Sequence, residues 1–165
     1  MRALAFVCFS AALALPSTGC AGFLFGGGHK DPLHEAARGE REMCGGDPID
    51  PRIYGPDVVL RVEPEEFWVQ SGRSDRAVRL AGAKLHLRPL PGVTAELLAR
   101  GLKCREARVV LGREPAAPNE PYALPDSWVK IDVSSGDGSF VVGLEAEDID
   151  HAKVVLARAS AFAKR

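Results

Sequence analysis

The stretch "WVKIDVSSGDGSFVVGLE", from Trp128 to Glu145, constrains the fold most. Val129, Ile131 and Val133 share one parity; Phe140, Val142 and Leu144 share one on the return. Two alternating runs around a Gly/Asp turn predict a β-hairpin with one apolar face. A lone hairpin cannot bury that face, so further strands or a helix must cover it. The next segment, "EDIDHAKVVLARASAFAKR", predicts an amphipathic helix. Asp148 caps it, and Ile149, Ala152, Leu156, Ala159 and Phe162 form its apolar stripe. Lys164 and Arg165 suit its C-terminal end.

Two further strands precede this pair. "DVVLRVE" alternates, with Val58, Leu60 and Val62 inward and Arg61 and Glu63 outward. Phe67, Trp68 and Val69 extend or cap the sheet. "RAVRLAGAKLHLRP" alternates too, but its phase slips between Leu80 and Ala83. A β-bulge at Ala81-Gly82 keeps both halves facing one core, and Pro89 ends the strand. Thr94 then reads as the N-cap of a helix running to Leu111, with Glu96 in the first turn and Gly112 as the stop. Leu97, Leu98, Gly101, Leu102 and Val109 share its apolar side. Residues 113–127 hold four prolines and predict a loop.

The order is β-β-α-β-β-α. The predicted fold class is α+β: a small antiparallel or mixed sheet with two helices on one face. The β-α-β-β-α part looks like the topology of small envelope modules such as the N-terminal domains of secretins. That likeness rests on topology alone and carries no function by itself.

The chain has 165 residues and a formal net charge of -1. That length suits one modest domain, and that charge offers no electrostatic case for nucleic acid or an anionic membrane surface. Ala3 to Leu15 is apolar apart from Ser10, too short to span a bilayer but the length of a signal-peptide core. Pro16 ends the run, Ser17, Thr18 and Gly19 are small, and Cys20 follows.

This combination resembles the lipobox of bacterial lipoprotein precursors. The resemblance implies that Cys20 receives a diacylglyceryl group, that cleavage falls before it, and that the new amine is open to acylation. Two or three acyl chains make a stable anchor. The pattern departs at Ser17, where the family usually carries Leu. Cleavage by ordinary signal peptidase, releasing a soluble exported protein, is the alternative. Ala21 stands where an Asp would retain a lipoprotein in the inner membrane, so the resemblance favours the outer membrane. Phe23, Leu24 and Phe25 suit the headgroup region, and Gly26 to Gly28 a flexible tether. The expected organisation is a signal peptide over 1–19, a lipidated N-terminus and flexible stalk over 20–56, and an α+β domain over 57–165. Within the stalk, Glu35 to Met43 allow a short helix.

Of four cysteines, Cys8 falls in the signal and Cys20 takes the lipid. Cys44 and Cys104 remain, and in an exported protein they suggest a disulfide. The alternative is a buried Cys104 thiol and a free Cys44. His29, His34 and Cys44 are N and S donors of soft-metal type, but at no spacing of a closed zinc site. Solvated stalk residues are the plainer reading, and no metal or cofactor is assigned. Lys84, His86 and Arg88 face outward on one strand and form a candidate anion-binding stripe, or else pair with carboxylates such as Asp132 or Glu145. No catalytic motif is present: there is no G-x-S-x-G, H-E-x-x-H, phosphate loop or C-x-x-C.

The reading is a membrane-anchored envelope lipoprotein with a non-catalytic domain for protein binding or a structural role. Its expected partners are the membrane, through the lipid, and an envelope protein, with no nucleic acid. The expected partner surface is the open side of the sheet or the edge strand Asp57 to Glu63. Val59 and Val141, with Trp68 and Trp128, would make it partly apolar. A metal- or small-ligand-binding lipoprotein is the second reading.

Overall fold

The computed structural model describes residues 31–45, 51–71, 75–136 and 138–164. The lipobox-like segment, Cys20 and His29 lie outside the described residues. Seven regular elements follow in order: α1 (Pro32–Met43), β1 (Val59–Ser71), β2 (Asp75–Leu87), α2 (Ala95–Val110), β3 (Val129–Gly136), β4 (Ser139–Ala146) and α3 (Ile149–Phe162). The strands form one sheet in the order β1-β2-β4-β3, and every neighbouring pair is antiparallel. Of the two sheet types expected, the antiparallel one is present.

Local chemistry sets the helix starts. The Thr94 hydroxyl accepts from the Leu97 N–H at 3.2 Å, and Asp148 accepts from the N–H groups of Asp150 and His151, both at 2.9 Å. Asp31 accepts from Leu33 at 3.0 Å, ahead of Pro32, which sacrifices only an N–H that would be unpaired there anyway. Gly112 follows α2 at φ +67°, a conformation that favours glycine.

Helices α2 and α3 cover one face of the sheet. Leu98 and Leu102 of α2 and Val155, Ala159 and Phe162 of α3 share a core with Ala83, Leu85, Leu87, Val129, Ile131, Phe140, Val142 and Leu144. Gly82 pairs with Glu65 while Leu80 pairs with Glu66, so Ala81 is the extra residue of a bulge at the expected place.

Two expectations differ from the structure, and two regions are more buried than the sequence pattern shows. Leu60, expected inward, is 61% exposed. Val59 pairs with Leu87 and Arg61 with His86, so Leu60 is itself a bulge. That slip turns Val59, expected outward, toward the core, while Val62 stays inward as expected. In α3 the buried stripe is Ala152, Val155, Ala159 and Phe162; Ile149 is exposed and Leu156 half-buried. The proline-rich segment is a loop, as expected, and part of it enters the core. Tyr122, Ala123 and Leu124 are wholly buried, and the Tyr122 ring meets Phe162 edge-on at 5.9 Å. Finally, α2 is buried on a second side, through Cys104, Ala107 and Val110.

The reason for that second side is α1. Ala36 is buried against Ala107 and Val110, with Trp128 packed alongside. The Trp128 ring lies so near Gly39 that a Cβ there would sit 3.2 Å from it. Arg113 reaches Glu40 at 2.7 Å, and the Sγ atoms of Cys44 and Cys104 are at disulfide distance, 2.10 Å. Ile53, in a 3-10 turn at Pro51–Tyr54, joins the main core. Helix α1 and the Ile53 turn, both on the N-terminal side of Asp57, therefore pack onto the sheet domain.

Candidate functional site

The uncovered face of the sheet is polar, and its basic side chains are paired. Lys84 meets Glu65 at 3.0 Å, His86 meets Glu63 at 3.3 Å, and Arg88 meets Asp57 at 3.0 Å. Lys130 lies between Asp132 and Glu145, at 3.0 and 3.1 Å, and both carboxylates hold its pKa above the ordinary value. The carboxylate partners of Lys84, His86 and Arg88 are thus on or beside β1, not Asp132 or Glu145. A row already neutralised this way has little left for an added anion.

The four residues expected to make one apolar surface are dispersed. Val59 turns into the core edge, Trp128 is held against α1, and Val141 is half-buried opposite His86. Trp68 alone stays open, 70% exposed.

Trp68 belongs to a different feature. β2 pairs with β1 along its length but with β4 only over Gly82–Leu87. The rest of the β1–β2 hairpin, Glu66–Ser71 with Asp75–Leu80, runs beyond the four-stranded sheet as a two-stranded ribbon. Six residues of strand extend it by roughly 20 Å. Trp68 pairs with Val78, Phe67 with Arg79 and Val69 with Ala77. Phe67 is 45% and Val78 47% exposed. Arg76 and Arg79 are exposed among them. A thin ribbon with large apolar groups on both faces is an ordinary feature of interaction sites and an unusual one for a monomer.

A second feature is a cleft of about 230 Å³ where α1 and α2 meet β3. Glu35, Arg38, Gly39, Glu42 and Met43 line it from α1, Lys103 and Glu106 from α2, and Trp128, Lys130, Ile131 and Asp132 from β3 and its approach. Glu106 is wholly buried. One carboxyl oxygen, Oε1, accepts from the Val129 N–H at 2.5 Å, and the other, Oε2, has no hydrogen-bond partner. Burial pushes this carboxyl well above the usual carboxylate range, against the pull of the Val129 N–H and of Lys103.

The remaining sequence candidates fall into structural duties. Cys44 and Cys104 face each other across α1 and α2. His34 is exposed on α1, and His151 binds its own helix cap, Asp148, at 2.6 Å. Among the described residues, no group of three or more His, Cys, Asp or Glu could hold a metal ion. None of their helices is long and apolar enough to cross a membrane. Sequence reasoning missed Glu106. Its one signal was a glutamate between Cys104 and Ala107, on the helix side that faces α1.

The chain matches no protein-family model, no curated protein and no solved structure.

Proposed function

We propose that this chain is a bacterial envelope lipoprotein, anchored through a lipid on Cys20, whose α+β domain is a non-catalytic module for protein binding or a structural role. The outer membrane is the destination that Ala21 favours. The Cys44–Cys104 pair fits an exported, oxidising setting. The observation that carries the binding half is Trp68, 70% exposed on a ribbon that extends past the sheet. Exposed aromatic and arginine side chains, here Phe67, Trp68, Arg76 and Arg79, are residue types enriched in protein interfaces.

Two measurements test the reading. The intact mass of the mature protein from membranes should equal Cys20 to Arg165 plus a diacylglyceryl group, with or without a further acyl chain. An unlipidated mass refutes the anchor. A photocrosslinker placed at Trp68 in cells should give a discrete envelope adduct that the same group at Lys153, exposed on α3, does not. Identical patterns from both positions refute the ribbon as the contact.

The small-ligand alternative is favoured by one observation, the cleft at Glu106. Its metal-binding form loses Cys44 as a ligand while that residue is bonded to Cys104.

A further inference from the structure

Glu106 is an anomaly in a well-paired structure. Glu120, nearly as buried, accepts from Arg105 Nε at 3.0 Å and Nη2 at 2.9 Å and from the Ala117 N–H at 2.9 Å. Glu106 accepts one backbone N–H and leaves Oε2 without a partner. A buried carboxyl of this kind is held as the neutral acid. With Oε1 accepting from Val129, the proton belongs on Oε2, which makes an O–H donor without an acceptor. Glu106 lines the cleft while being itself wholly covered, so it stands at the inner end.

The neighbours complete a pattern. Lys103 lies one turn earlier on α2, lines the same cleft and attracts the Glu106 carboxyl. Across the cleft on α1, Glu42 also lines the wall. Neither Lys103 nor Glu42 has an ion-pair partner within the hydrogen-bonding range of the described residues, although Arg38 pairs with Glu35 and Lys130 with Asp132. Two donors, the Glu106 acid and the Lys103 ammonium, thus occur on one side and a carboxylate on the other. Trp128 and Met43 supply apolar wall beside them. The space is below the ~300–1,000 Å³ of pockets for drug-sized ligands, so its occupant is small.

We propose that the cleft between α1, α2 and β3 binds a small zwitterion with the chemistry of a free apolar amino acid. Its carboxylate is received by Glu106 and Lys103, its ammonium by Glu42, and its side chain by Trp128 and Met43. The site is independent of the Trp68 ribbon and does not depend on the lipid anchor.

The test is calorimetric titration of the full, oxidised chain with L-leucine at up to millimolar concentration. Isocaproate, which lacks the amine, and isoamylamine, which lacks the carboxylate, are the counterparts. Leucine should bind saturably and each counterpart at least about tenfold more weakly, because each leaves a charged group of the cleft unmet. Glu106→Gln keeps a donor in place of the acid O–H and should retain binding. Glu106→Leu and Lys103→Met should each weaken it at least about tenfold, with the circular dichroism spectrum and the disulfide unchanged. Lys103 is only half-buried, so that variant remains informative should Glu106→Leu fail to fold. No saturable leucine binding to the folded wild type overturns the proposal. So does equal binding of all three compounds, or leucine binding that Lys103→Met leaves unmoved.

Discussion

Gly82 and Leu144 approach so closely across β2 and β4 that a Cβ on Gly82 would sit 2.0 Å from the Leu144 carbonyl oxygen. The obstacle is backbone, which cannot rotate away. Gly82 is also the residue at which the β2 register slips. Gly82→Ala should cost about 3 kcal/mol or more, or prevent folding. Urea unfolding measures it; a loss within about 0.5 kcal/mol would show that the bulge tolerates a side chain.

The Cys44–Cys104 bond closes a loop across a sequence separation of 60. Its chain-entropy contribution is roughly 4 kcal/mol. The double variant Cys44→Ala, Cys104→Ala should lower the unfolding free energy by about that amount. Amide exchange should rise first in α1, which otherwise holds to α2 through Ala36, Gly39 and the Glu40–Arg113 pair. Equal exchange in α1 with and without the bond would contradict this.

Glu106 makes stability depend on pH in the sense opposite to most carboxylates. Its folded pKa lies well above the unfolded value of 4.5, because burial disfavours the charged form. The folded state therefore holds the proton more tightly. The stability this contributes is fully present below about pH 4.5 and declines as pH rises toward the folded pKa. Glu106→Gln should flatten that decline and be the more stable protein at pH 8. Asp148 acts the other way. Hydrogen bonds from the backbone and side chain of His151 hold its pKa at about 2, so its contribution is present above pH 3.8 and lost as pH falls toward 2. Matched slopes for the wild type and Glu106→Gln above pH 4.5 would refute the assignment.

The loop after α2 is pinned by charge and carries an unmet hydroxyl. Arg105 holds Glu120 and Glu114, the latter at 2.5 Å. Arg105→Ala should cost about 3–5 kcal/mol, since Glu120 stays buried without its cation. The Tyr122 hydroxyl is buried with no hydrogen-bond partner, and burial and Glu120 push its pKa up. Tyr122→Phe should therefore leave stability unchanged or raise it by about 1 kcal/mol. Chemical unfolding of both variants checks the pair; a large loss in Tyr122→Phe would mean the hydroxyl is satisfied.

Trp68 should be dispensable for folding. Trp68→Ser is expected to change stability by no more than about 0.5 kcal/mol while abolishing the envelope adduct of a photocrosslinker placed at Val78, its exposed cross-strand neighbour. A large loss of stability would mean that the ribbon packs against its own domain.

Much of the fold was legible because it is written in local chemistry. The bulge showed as a parity slip at Ala81-Gly82, and the caps at Thr94 and Asp148 as hydroxyl and carboxylate groups before apolar runs. Leu60 was misread because a bulge opposite Leu87–His86 leaves no mark in a seven-residue alternation. Val155 was missed because apolar residues fall on more than one side of α3, Ile149 and Val154 being exposed, so the pattern alone gives no unique buried face.

The sequence by itself determined the antiparallel-compatible β-β-α-β-β-α order and the covered side of the sheet. Those follow from the periods of two and 3.6 residues and from turn and cap residues, which act over a few positions. Tertiary structure alone decided that α1 docks on α2, that Tyr122 and Leu124 enter the core, and that Glu106 meets Lys103, Glu42 and Trp128 in one cleft. Those residues are brought together by packing between segments far apart in the chain. No local pattern specifies such meetings, because each depends on which surfaces the other elements leave open.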